Sequence, residues 1–298
     1  MIFALLTAFL FALSAVSGRK LGDVLGSLRA NYIRLAVAFA ALAALTVIID
    51  PHSIHPTTFA WLFLSGLIGF GIGDVALYLA LTRIGARLTV LINFSLATIL
   101  GAIGDWLWLG ELIEPGKWFP IATILSGLAL ALLAARKSNM PRTGSYAVGL
   151  IAAVVAGMGQ GFGSSISRVA QEAAEVLQHE MTGLSEACQR VFAGLLFAIV
   201  AWKFFSKNDA TTKGGPKAGW WKYLLGAAFF GPVLGVSCFQ HALTLQPSAI
   251  VLAIVALSPI LLIPLSAALE KDRPTLLSVI GSLIAVGGVA WLALFDRL

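Results

Sequence analysis

Residues 58–82 read TFAWLFLSGLIGFGIGDVALYLALT, and residues 220–244 read WWKYLLGAAFFGPVLGVSCFQHALT. Each stretch is 25 residues long and almost wholly apolar. A helix rises about 1.5 Å per residue and a bilayer core is about 30 Å thick, so some 20 apolar residues suffice to cross. Both stretches therefore predict transmembrane helices. They are also copies of each other. Slid by 162 positions, Gly69 and Gly73 fall on Gly231 and Gly235, and Ala80-Leu81-Thr82 falls on Ala242-Leu243-Thr244. With a small change of offset the match extends outward. Arg19 answers to Arg168, Arg34 to Arg190, Glu111 to Glu270 and Gly127 to Gly287. Ordered matches across the chain indicate a duplicated unit.

Composition agrees. Of 298 residues 59% are hydrophobic and only 11% charged, with a mean hydropathy of +0.92. Soluble domains are about 45–50% apolar and roughly 25% charged, so the lipid must act as solvent here. Ten apolar runs qualify as spans: about 1–17, 30–49, 58–82, 86–109, 117–135, 144–167, 184–205, 220–245, 248–269 and 274–295. The breaks carry turn chemistry, such as Asp50-Pro51-His52, Glu114-Pro115-Gly116 and Gln246-Pro247-Ser248. The polar run after the sixth span predicts a helix continuing beyond the membrane. The first run lacks a basic leader and a small-residue cleavage site, and reads as a spanning helix. The predicted fold class is an all-α membrane protein of about ten transmembrane helices in two five-helix repeats, residues 1–138 and 144–298. Five is odd, so the second copy enters from the opposite side, an inverted arrangement that places a transporter's site near the midplane between repeats.

The net charge of +6 sits between apolar runs and not on one face, which argues against a nucleic-acid partner. Cys188 and Cys238 lie inside apolar runs with neither disulfide nor metal spacing, and read as core residues. No H-E-x-x-H, G-x-S-x-G or phosphate-binding loop is present. GFGIGD at 69–74 resembles a glycine-rich loop, yet it lies in mid-span without a preceding strand. Catalytic residues, metal ligands and cofactors are therefore expected to be none.

GIGDVALYLALTRIGA at 71–86, LGE at 109–111, ALTLQPSAIVLAIVALSPILLIPLSAALE at 242–270 and the Gly-rich last helix of each half together resemble the EamA-type members of the drug/metabolite transporter superfamily. The resemblance covers nearly the whole chain. It implies a multi-pass protein of the plasma membrane that moves small molecules such as amino acids, other metabolites or drugs, often outward. A central cavity lined by both halves is implied, with protons as an optional coupling ion, and the working unit is expected to be a monomer or homodimer. The family commonly has Pro in mid fourth helix. Here Ala97 stands there, while Pro259 is present in the second copy.

Polar groups deep in a span are costly and tend to face a cavity or a bundle interior. Asp74, with Tyr78 one turn on, reads either as a proton-coupling or cation-binding carboxylate or as a structural hydrogen-bond partner. Asn93, Gln160, Gln240 and His241 read either as solute contacts or as interhelical hydrogen bonds. Arg34 and Arg190 near the start of the second helix of each half read as carboxylate anchors at the cavity mouth or as side chains snorkelling to headgroups, with Glu186 in reach of Arg190. Glu111 and Glu270 are expected at the interface as caps or salt-bridge partners. Pro232, Pro259 and Pro264 free backbone carbonyls inside spans, either for the cavity or for bends. Trp106, Trp108, Trp118, Trp220 and Trp221 sit near span ends, as an interfacial belt does.

Two other function classes compete. An intramembrane enzyme acting on lipid-linked substrates requires paired acids or a His/Asp cluster on facing helices. A scaffold predicts a closed bundle.

Sixteen Lys and Arg follow the odd-numbered spans and four lie on the other side. The positive-inside rule then puts both termini outside the cytoplasm, whereas the family resemblance favours cytoplasmic termini. A reporter fused at Leu298 decides: the charge pattern predicts activity only for a reporter that works outside the cytoplasm, and a signal only from a cytoplasmic reporter contradicts it.

Overall fold

The computed structural model describes residues 1–133, 145–205, 219–258, 260–261 and 275–295. These form ten helices, with no strand among them. α1 is Ile2–Leu25, α2 Ser27–Ile49, α3 Pro56–Ile84, α4 Ala86–Leu109 and α5 Trp118–Leu133. α6 is Tyr146–Val176, α7 Gly183–Phe205, α8 Trp220–Leu245, α9 Ser248–Val255 and α10 Leu276–Phe295. Seven of them, α1–α4 and α6–α8, are long and apolar enough to cross a bilayer. The remaining three, α5, α9 and α10, lie next to undescribed residues.

Two helices run past the apolar spans that predict them. α1 does not stop at 17. It runs through Gly18-Arg19-Lys20 and ends at Gly26, whose φ of 83° turns the chain directly into α2. α6 runs on to Val176, as the polar stretch after the sixth span predicts. The end of the predicted ninth span, with Pro259, Pro264 and Glu270, lies outside the described residues.

The packing is two-fold. α1 lies on α8 as α6 lies on α3, and α1 touches α9 as α6 touches α4. α2 packs on its own counterpart α7, and α5 on its counterpart α10. Each of these pairings survives exchange of the halves, as expected of an inverted repeat, whereas the α1–α2 contact has no counterpart of similar extent between α6 and α7. The same symmetry appears in a local irregularity. A π-helical turn occupies Leu67–Gly73 in α3 and another occupies Phe229–Val233 in α8. They begin at the offset of 162 that aligns the two sequences. Such turns recur at functional sites because they widen the helix and re-aim side chains. Pro232, which lacks an N–H, lies inside the second one.

Small residues bring helices together where lipid offers no hydrophobic drive. A Cβ on Gly281 would lie 2.4 Å from the Ala131 backbone nitrogen, and one on Gly127 would lie 2.5 Å from that of Ala285. These contacts join α5 to α10. Gly287, matched to Gly127 in sequence, faces open space instead. Trp106, Trp108, Trp118 and Trp221 are exposed near helix ends, as an interfacial belt requires.

Gly281→Leu should therefore destabilise the protein by about 1–3 kcal/mol through overpacking, whereas Gly287→Ala should leave stability almost unchanged. Thermal denaturation in detergent measures both.

Candidate functional site

The halves enclose a cavity of about 90 Å³. Its wall takes Phe11, Ser14 and Gly18 from α1, Asn93 and Phe94 from α4, Gln160 from α6, and Pro232, Val236 and Phe239 from α8. α3 supplies Phe70, Asp74, Tyr78 and Leu81. Arg34 of α2 and Arg190 of α7 complete it, with Ser258 just past α9. A water molecule needs about 10–15 Å³ of such space, so this conformation has room for several waters or a small polar group.

Two charges meet at the cavity wall. The Arg34 guanidinium pairs with the Asp74 carboxylate through Nη2 and Oδ2. Asp74 is placed by the chain's local geometry, as the first residue after the π turn of α3. Arg34 Nη2 also donates to Asn31 Oδ1 at 3.0 Å, one turn back on α2, and the guanidinium lies 5.0 Å from the centre of the Tyr78 ring. The side chains of Arg34 and Asp74 are 6% and 14% exposed. Snorkelling to headgroups is thus excluded for Arg34, and for Arg190 too, which is 2% exposed. Arg190 lies over Phe70 at 5.3 Å and donates from Nη1 to Gln240 Oε1 at 2.5 Å. Its Nε, like that of Arg34, is buried without a partner.

The arginines are counterparts, but their partners are not. At the offset of 162, Asp74 corresponds to Val236 and Tyr78 to Gln240. One arginine therefore meets a carboxylate and the other an amide. The direct pairing read from sequence between Arg190 and Glu186 is not formed. Gln240 stands between them, receiving Arg190 on its oxygen and donating from Nε2 to Glu186 Oε2 at 2.9 Å.

Six of the polar residues singled out from sequence thus line one cavity, Arg34, Asp74, Tyr78, Asn93, Gln160 and Arg190, together with Pro232. Gln240 is fully buried behind it. His241, one position on, turns about 100° away around α8, is exposed, and meets the Phe3 ring edge-on at 4.3 Å.

A second polar cluster closes the bundle on the side of the loops that follow even-numbered helices. Asp105, 1% exposed near the end of α4, accepts from the Ser248 backbone N–H at 2.7 Å and hydroxyl at 2.8 Å, at the start of α9. A carboxylate there complements the helix's N-terminal partial charge. Arg168 of α6 donates to Asp105 at 3.1 Å and forks onto Glu111 at 2.5 and 3.0 Å. Glu111 is thus a salt-bridge partner between halves. The neighbouring loops are tied as well: Asp50 accepts from the Thr182 N–H and hydroxyl at 3.0 and 2.8 Å. The cavity extends the other way, to Gly18 and Leu81 within two turns of the ends of α1 and α3.

Asp105 and Gln171 escaped the sequence reading. An acid near the end of an apolar run is a signal that would have found Asp105. Gln171 carries none, because its partners Glu186 and Gln240 lie on other helices.

A cavity between two repeats, walled by buried charges, suits a membrane transporter. The EamA-like transporter family matches residues 1–133 and 147–294, and the chain belongs to that family. No curated protein matches it. A solved protein structure aligns with a TM-score of 0.73 at 16% identity, over 99% of this chain and 96% of that one. At that identity the likeness shows the fold.

Removing one member of a buried ion pair strands the other, at a cost of about 3–5 kcal/mol. Asp74→Leu and Arg34→Met should each show a loss of this size, and the double variant should recover most of it. A double-mutant cycle by denaturation measures the coupling.

Proposed function

We propose that the protein is a secondary transporter that carries small organic metabolites, such as amino acids or drugs, out across the plasma membrane by alternating access. The observation that carries this reading is the cavity between the halves, with the Arg34–Asp74 pair and Arg190 on its wall. A scaffold calls for a closed bundle. An intramembrane enzyme calls for clustered acids or histidines, and the acid in this cavity is engaged by an arginine.

The two ends of the bundle differ in a way that suits one state of such a cycle. The Asp105–Arg168–Glu111 cluster holds α4, α6 and α9 together on one side. Opening the cavity to that side requires these bonds to separate while the opposite ends of α1 and α3 close. Asp74 takes the coupling role. A proton on its carboxylate, or a solute carboxylate on Arg34, dissolves the pair and changes what holds α2 to α3. Asn93, Gln160 and Tyr78 contact the solute.

Reconstituted liposomes test this. Uptake of at least one amino acid, small metabolite or dye, driven or modulated by a pH gradient, is expected, and no uptake across the panel contradicts the proposal. Asp74→Asn should abolish gradient-driven accumulation and retain counterflow exchange. Unchanged accumulation removes Asp74 from coupling.

A further inference from the structure

Glu186 lies outside the cavity wall, yet it is 1% exposed in the first turn of α7. Its Oε2 accepts from two neutral amides, Gln171 Nε2 at 2.7 Å and Gln240 Nε2 at 2.9 Å. Among the described residues no cation lies within ion-pair distance of it. Asp74 is different, because Arg34 answers its charge directly. A buried carboxylate met only by neutral donors is costly unless its charge is removed or balanced.

Glu186 also faces a second cavity. That vestibule, about 360 Å³, is lined by Gln171, Glu175, Gln178, His179, Glu180 and Thr244 among others. It lies on the side that the Asp105–Arg168–Glu111 cluster closes to the central cavity. Two of its polar atoms are buried without partners: Nε2 of His179 and Oε1 of Gln171. The second is an acceptor on the amide that already touches the Glu186 carboxyl, so a carboxyl O–H would have a place to donate.

We propose that Glu186 is a proton-binding carboxyl of the transport cycle, loaded from this vestibule and linked through Gln240 to Arg190, so that the central cavity takes an anionic solute together with a proton. The proposal rests on the transporter reading and adds its co-substrate and solute class. Loading transfers one proton from vestibule water to the carboxylate oxygen, and only hydrogen bonds rearrange. With Glu186 ionised, its charge offsets that of Arg190 through one intervening amide. With Glu186 neutral, the negative charge remaining near Arg190 is that of Asp74, which Arg34 already engages. Arg190 Nε has no partner, and a solute carboxylate supplies both a partner and a counter-charge.

The charged and titratable groups around Glu186 are few. Arg190 shares its helix. α6 and the loop after it bring Glu175, His179 and Glu180. α2 ends in Asp50, which Thr182 engages, and His55 at the start of α3 sits 5.5 Å from the His179 ring. α8 presents the neutral Gln240 and Thr244, with His241 turned away toward Phe3.

Infrared pH-difference spectra of the full chain in liposomes test the assignment without any solute. In an Asp74→Asn background, which removes the other carboxyl that the proposed cycle protonates, a carbonyl band of a protonated buried carboxyl should appear on acidification, be lost when Glu186→Gln is added, and return displaced with Glu186→Asp. Persistence of the band in Glu186→Gln overturns the proposal. If that variant does not fold, Gln240→Leu decides: the band should remain and shift in frequency as one N–H donor is lost, and an unshifted band overturns it. A missing band leaves transport itself standing, whereas absent uptake contradicts the transporter reading and leaves the spectra unaffected.

Discussion

Charge inside a hydrocarbon slab must be answered by charge or by hydrogen bonds, and this constraint arranges the centre of the protein. An arginine or aspartate at mid-bilayer costs about 2.5–3.5 kcal/mol even by the mildest scales. The fold meets that cost by placing Arg34 and Arg190 at equivalent points of the two halves, each against a helix distorted by a π turn. The distortion brings Asp74 to Arg34. On the other side Gln240 meets Arg190 and passes its polarity to Glu186.

Duplication makes the scaffold symmetric, and the departures from symmetry make it useful. The main helix pairings between the halves obey the two-fold relation. The partners of the two arginines do not, and neither do the two ends of the bundle. The even side carries the Asp105–Arg168–Glu111 and Asp50–Thr182 ties, while the central cavity extends toward the other. In the proposed cycle, unequal ends on a symmetric scaffold give two related conformations different stabilities, the condition for a ligand to shift one into the other.

Much of this was legible in the sequence for physical reasons. Long apolar runs have no soluble alternative, so the helices could be read directly. The 162-residue offset that aligned Gly69 with Gly231 also aligned the two π turns, although the turns themselves left no readable mark. Asp74 stood out because a lone acid in an apolar run is conspicuous. What pairing it would find was not legible, because Arg34 lies 40 residues away on another helix. Likewise the helical spacing of Glu186 and Arg190 suggested a direct bond, which an amide from α8 intercepts. His241 was misleading for a simple reason: residues adjacent in a helix point about 100° apart, so Gln240 can face the bundle interior while His241 faces out. α1 was read short because Arg19 and Lys20 resemble a loop, yet long basic side chains are compatible with a continuing helix, and Lys20 lies over the Tyr223 ring of α8.

The central claim, that one cavity between the halves opens to each side in turn, is tested most directly by side-specific labelling. Ser14 lines the cavity from α1, and the free thiols Cys188 and Cys238 can be replaced. A single cysteine at position 14 should react with a membrane-impermeant maleimide in both right-side-out and inside-out vesicles. Reaction from one side only, or from neither, would contradict alternating access.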